Sequence, residues 1–173
     1  MNTHTEKLLD HLARSRHILH DAVAGVPAES RDKRPIADAW SVAEILEHLT
    51  IVETRFTALW RMKSAGTPAL NGRVPEIAFS PDRVLDRTQK VEAVGPIRPT
   101  GAVDSETAST VLEVTRQRLK EAIAEADGRD LSKVLHPHPL FGDLNLYQWV
   151  LFLGSHEERH AAQIRDTNGP PQI

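Results

Sequence analysis

The chain contains no cysteine among its 173 residues. That excludes disulfides, thiolate metal ligands and a protein-borne thiol nucleophile. It has no apolar run near the ~20 residues needed to span a bilayer, so no membrane partner is expected. Lys and Arg form no dense run and the formal net charge is -3, which argues against an electrostatic nucleic-acid binder. The opening stretch MNTHTEKLLDHLARSRH is too polar for a signal peptide, and a cytoplasmic protein is the plain expectation. Internal repeats, low-complexity tracts and a second-domain boundary are also missing. With 40% hydrophobic content, residues 1–173 fit a single domain able to bury roughly 70% of its unfolded surface.

What is present is helical periodicity in four stretches. Residues 5–24 place Leu8, Leu12, Ser15, Leu19 and Ala22 on one face, with Thr3 or Thr5 as the cap and Gly25 and Pro27 as the stop. Residues 41–65 open with a capping box, Ser41 and Glu44, and Trp40 and Ile45 are spaced to form a hydrophobic staple. Their apolar face runs Ile45, Leu49, Val52, Phe56 and Leu59, with His48 beside it. Residues 105–126 carry Ala108, Leu112, Thr115, Leu119, Ala122 and Ala126 on one face. Residues 145–168 start at Asn145, with Gln148 in the reciprocal capping position, and stop at Asn168-Gly169-Pro170-Pro171.

Between the second and third helices, residues 66–104 form a long crossover rich in proline and glycine, in which Ser80-Pro81-Asp82 is placed to open one short turn. The segment LSKVLHPHPLFGDL before the fourth helix reads as an irregular connection. With no strand pattern, the fold class is all-α, a four-helix bundle. The crossover lets the second and third helices run parallel, which gives an up-down-down-up order with the fourth antiparallel to the second.

The fourth helix carries the residues that point to chemistry. Leu146, Trp149, Leu153, His156, His160 and Gln163 step by three and four, so two imidazoles one turn apart follow three core residues along one seam. A His-x-x-x-His pair by itself also fits a solvated helix face. On a seam it fits less well, because burying two imidazoles without partners is costly. The pair is ~6 Å apart along the axis and ~40° around it, close enough to share one ion. His48 is the third candidate. It lies roughly 10 Å into its helix, and the pair lies roughly 15 Å from the end of the fourth, so the levels agree within about one turn in antiparallel helices.

Other residues offer less. His11, His17 and His20 fall on the charged part of the first helix and are expected to be exposed, and turn structure explains His136 and His138. Glu157 and Glu158 fall off the seam, and Glu44 is used by the cap. Ser155 is mid-helix, not on a nucleophile elbow. Arg159 either pairs with a carboxylate such as Glu53 or stays on the surface.

The phrase WSVAEILEHLTIVE (Trp40 to Glu53), followed by HPLFGDLNLYQWVLFLGSHEERHAAQI (His138 to Ile164), resembles the DinB/YfiT-like superfamily, as does Arg98-Pro99-Thr100-Gly101 in the crossover. The resemblance spans the chain in order. It implies an up-down-down-up four-helix bundle, often a homodimer, with a divalent metal held by three histidines that match His48, His156 and His160. Relatives include transferases and isomerases that use low-molecular-weight thiols, and a metal-dependent hydrolase group.

The expected function is therefore that of a divalent-metal enzyme, with Zn²⁺, Ni²⁺ or a similar ion activating a low-molecular-weight thiol or water toward a small-molecule substrate. The alternative from another class is a non-catalytic metal- or ligand-binding stress-response protein. The site is expected near the start of the second helix, walled by the 26–40 loop with Trp40 and by Ile97 to Gly101, with His136 to Phe141 at the opposite end. Arg98 is the candidate anchor for an anionic group on a substrate or thiol cofactor; a solvated loop arginine is the plainer reading.

Overall fold

A computed structural model describes residues 1–72, 77–88, 91–93 and 95–167. Four long helices dominate it: α1 (Thr3–Ala24), α2 (Val42–Ser64), α4 (Ser105–Glu125) and α5 (Leu146–Thr167). The single turn α3 (Asp82–Leu85) lies in the crossover, where Pro81 occupies its N-cap position. The stop expected at Asn168 to Pro171 lies outside the described residues.

Each long helix begins on a side chain that takes up orphan backbone N–H groups. For α2 this is the expected capping box of Ser41 and Glu44. For α5 it is the reciprocal pair Asn145 and Gln148, each accepting from the other's backbone at 2.9 Å. Asp104 caps α4 through the Thr107 N–H. For α1 the expectation of Thr3 or Thr5 is corrected. Asn2 is the cap, accepting from the backbone of His4 and Thr5, while the Thr5 hydroxyl donates to Asp127.

Side-chain pairings give the directions. His11 reaches the Leu151 carbonyl, Arg16 meets Glu157 and Arg165 reaches the Ile18 carbonyl, so α1 and α5 run parallel. Glu53 with Arg116 and Trp60 with the Ala122 carbonyl make α2 and α4 parallel. His48 beside His156, and Phe56 stacked on Trp149, make α2 and α5 antiparallel. The order is up-down-down-up, as expected. The start of the crossover is tied to the chain just beyond α4 through Leu70 N–H to Gly128 and Asp130 N–H to Pro68.

The connection before α5 is not irregular. Strands β1 (Leu135–His138) and β2 (Gly142–Asn145) form an antiparallel hairpin, with His138 opposite Gly142. The short turn-rich segment carries too little alternation to read as a strand pair. The hairpin is instead held from outside: Trp149 donates to the His136 carbonyl, and the His138 ring packs on Phe152 at 4.4 Å.

The core divides in two. One apolar cluster gathers around Leu12, Phe56, Trp60, Leu119 and Leu153, the other around Leu19, Ile45, Leu49, Leu112 and Ile164. Between them lies a layer of charge with one member from each long helix: Arg16, Glu53, Arg116 and Glu157, all at most 6% exposed. Arg116 makes a two-pronged contact with Glu53 at 2.8 and 2.9 Å and also reaches Glu157 at 3.0 Å. Arg16 binds Glu157 at 2.7 Å, Ser15 donates to the other Glu157 oxygen, and the Leu12 carbonyl takes a further Arg116 N–H. Burial opposes the charge on Arg116, but Glu53 and Glu157 outweigh it and raise its pKa above the ordinary guanidinium value.

This layer corrects several expectations. Glu157 lies in the core, not off the seam, and Glu53 pairs with Arg116 and Arg16 rather than Arg159. The buried stripe of α2 passes through Glu53 and Trp60 where Val52 and Leu59 were expected. His11 is half-buried between α1 and α5 and bonded to the Leu151 carbonyl. It packs where a Cβ on Gly154 would overlap its ring. His17 and His20 are exposed, as expected.

Candidate metal centre

His48 stands in the second turn of α2, and His156 and His160 stand one turn apart on α5. The antiparallel pairing brings all three together. Their ring nitrogens lie within 4.8 Å of one another, forming a group that could hold a metal ion. His48 Nε2 lies 3.4 Å from His156 Nε2, and His160 Nε2 lies 3.2 Å from the same atom. A tetrahedral ion with bonds of about 2.0–2.1 Å sets its nitrogen ligands about 3.3 Å apart. The spacing fits.

Outer hydrogen bonds decide which nitrogen faces inward. His48 Nδ1 lies 2.7 Å from the Ile97 carbonyl, and His160 Nδ1 lies 2.9 Å from Gln163 Oε1. Both partners are acceptors, so both Nδ1 atoms carry the proton and both Nε2 atoms present lone pairs toward His156. One proton on His156 Nε2 could serve only one of those lone pairs. A cation serves all three.

His156 has no such outer partner. Its Nδ1 is buried and has no hydrogen bond among the described residues. Packing orients the ring instead, with Phe152 stacked on it at 5.4 Å and 22°.

The environment keeps the imidazoles neutral. Burial lowers the pKa of His48 against the opposing Ile97 bond, and burial with the neighbouring histidines holds His156 well below the ordinary value. Burial and the charge of His48 bring His160 down to about 3. Neutral imidazole is the form that ligates a metal.

Trp40 lies beside the group, its ring 5.0 Å from His48 and 6.3 Å from His160. It also packs against the apolar cluster that contains Ile45. Ile97 contributes its carbonyl. Arg98 is exposed, and its side chain makes no hydrogen bond or ion pair among the described residues. His136 and His138 are not ligands of this group, yet the hairpin is closer than expected. His138 packs on Phe152, the ring that stacks on His156, and burial lowers the His138 pKa to about 4. Arg159 donates to the carbonyls of Val84 and Asp86, tying the end of α3 to α5 beside His160.

Two clefts of about 170 and 520 Å³ lie elsewhere, the first beside Leu19 and Glu113 and the second between residues 65–71 and 130–134. Neither contains a triad residue. Helical spacing in the sequence named the three histidines that the structure brings together. It placed Gln163 on the seam without a role and left Phe152 unnamed, although Phe152 stands one helical turn before His156; the Ile97 carbonyl follows from no helical spacing.

A sequence model of the DinB superfamily matches residues 11–164. The chain is 31% identical over 144 residues to an uncharacterized protein, YuaE, of Bacillus subtilis (strain 168), covering 82% of this chain and 85% of the relative. Its fold is similar to the crystal structure of TT2238, a four-helix bundle protein, with a TM-score of 0.62, 21% identity, and coverage of 94% of this chain and 98% of that one. Among the described residues no helix is long and apolar enough to cross a membrane. With the family model spanning nearly the whole described bundle, this chain belongs to the DinB superfamily.

Proposed function

We propose that the protein is a divalent-metal-dependent enzyme in which Nε2 of His48, His156 and His160 hold one ion such as Zn²⁺ or Ni²⁺, and that it acts on a small molecule. The observation that carries this reading is the convergence of three imidazole Nε2 atoms at 3.2 and 3.4 Å, on the buried His48 and His160 and the half-buried His156, two of them aimed by outer hydrogen bonds. When bound, such an ion lowers the pKa of a coordinated thiol or water so that a nucleophile exists at neutral pH.

The chain's own residues supply the rest. Gln163 and the Ile97 carbonyl hold the proton on the outer nitrogens, which leaves the inner ones free to ligate. Trp40 and Phe152 cover faces of the triad and limit water around it. Among the described residues the group has three members and no fourth carboxylate or imidazole, which supports an open position rather than a closed structural site. Arg98, exposed next to Ile97, is assigned to an anionic group of the substrate or thiol. The resemblance to thiol-dependent transferases and metal-dependent hydrolases favours thiol transfer or hydrolysis, and a homodimer is part of the same reading.

The test is a screen of the protein loaded with each metal, using low-molecular-weight thiols with small electrophiles and, separately, hydrolysable substrates. Turnover that needs the metal and vanishes in His156→Ala is expected. Arg98→Ala should raise KM for an anionic substrate with metal content unchanged. Stoichiometric metal with no turnover in either arm would favour the non-catalytic binding protein.

A further inference from the structure

We propose that residues 95–101 are a strap that sets His48 for ligation, and that Glu47 is the positioning residue that anchors it. This rests on the reading of the triad as a metal site. The strap touches α2 at three successive points. Its Ile97 carbonyl accepts from His48 Nδ1 at 2.7 Å. The Glu47 carboxylate accepts the backbone N–H groups of Thr100 and Gly101, both at 3.0 Å, and the Thr100 hydroxyl at 2.6 Å. Gly101 then passes Glu44 in a left-handed conformation, φ +72°, so closely that a Cβ would lie 3.2 Å from Glu44 Oε1. Glu44 cannot easily give way, because the capping box and Arg34 hold both its oxygens.

Little else fixes this segment. Gly95, Pro96, Arg98, Thr100 and Gly101 are exposed, and Ile97 and Pro99 are only half-buried, so apolar burial contributes little to its position. Three hydrogen bonds to one ionised carboxylate are the strong contacts available. Burial of Glu47 opposes its charge, and the bonds from Thr100 and Gly101 outweigh that and hold its carboxyl below the usual range. A histidine ligand depends on the partner of its other nitrogen for tautomer and ring angle, and that partner's loss typically costs about 10- to 100-fold in metal affinity. Here the partner is a loop carbonyl, as steady as the carboxylate that pins the loop. Coupling of this kind is reciprocal: if the docked strap favours the metal, the metal favours the docked strap by the same factor.

The test titrates the metal-free full-length protein with Co²⁺ and Zn²⁺, comparing wild type with Glu47→Ala, Glu47→Gln and Gly101→Ala. Glu47→Ala should weaken binding about 10- to 100-fold, and Gly101→Ala should weaken it in the same direction by an independent route. Glu47→Gln, whose amide can meet the same three groups, should bind more tightly than Glu47→Ala. The metal-free thermal midpoints should stay close to wild type. In wild type, hydrogen exchange at Thr100 and Gly101 should slow when metal is added. Wild-type affinity in both Glu47→Ala and Gly101→Ala, or exchange that ignores the metal, overturns the strap while leaving the metal site standing. A wild-type protein that binds no metal removes both.

Discussion

Replacing Arg116 by alanine is expected to destabilise the protein by about 3–5 kcal/mol, the usual cost of removing one partner from a buried ion pair. The reason lies in what would be left behind. Glu53 would lose both close contacts to Arg116 and keep only Arg16 at 3.4 Å, and Glu157 would lose one of its cations. Both carboxylates are at most 4% exposed, so water cannot replace the lost partner. The paired replacement Arg116→Met with Glu53→Leu removes one charge of each sign and keeps Arg16 with Glu157. It should recover a large part of the loss, because well-packed apolar groups often replace a buried ion pair at little cost. Urea unfolding of the two single variants and the double variant gives the coupling directly. A loss below about 1 kcal/mol for Arg116→Ala, the range of an exposed pair, would mean the layer is solvated rather than buried.

That layer also explains where reading the sequence stopped. Helical spacing and caps located α1, α2, α4 and α5, because Leu8, Leu12, Leu112 and Leu119 declare their faces by apolarity. Arg16, Glu53, Arg116 and Glu157 lie on buried faces but look like solvent residues one at a time; their charges balance only once four helices meet. The hairpin before α5 was hidden for a different reason. Its strands are short and are held by contacts from Trp149 and Phe152 rather than by their own alternation. The triad was legible because an i, i+4 histidine pair on a core seam is unusual and His48 lay at matching depth. Its outer bonds were less so: Gln163 stood on the seam, whereas the Ile97 carbonyl belongs to a crossover whose path no periodicity fixes.

Replacing His156 or His160 by alanine is expected to abolish stoichiometric binding of a divalent metal, and His48→Ala to weaken it severely. Three nitrogens at this spacing act as one chelate, and two from a single helix turn cannot alone close the set. The readouts are metal content and the thermal shift on adding metal. At a free metal concentration 100 times Kd, wild type should gain about 2.7 kcal/mol and each α5 variant almost none. His136→Ala and His138→Ala should bind as wild type does, although His138 packs on the Phe152 ring beside the site. Wild-type affinity in His48→Ala would remove the third ligand and with it the role of α2.

The most direct measurement is titration of the metal-free wild-type protein with Co²⁺, followed by visible absorption and by competition with Zn²⁺. Saturation at one ion per chain is expected, with bands of a four- or five-coordinate nitrogen-rich site that Zn²⁺ displaces and His156→Ala lacks. Failure to saturate, or equal binding by a variant with all three histidines replaced, would contradict the metal centre itself.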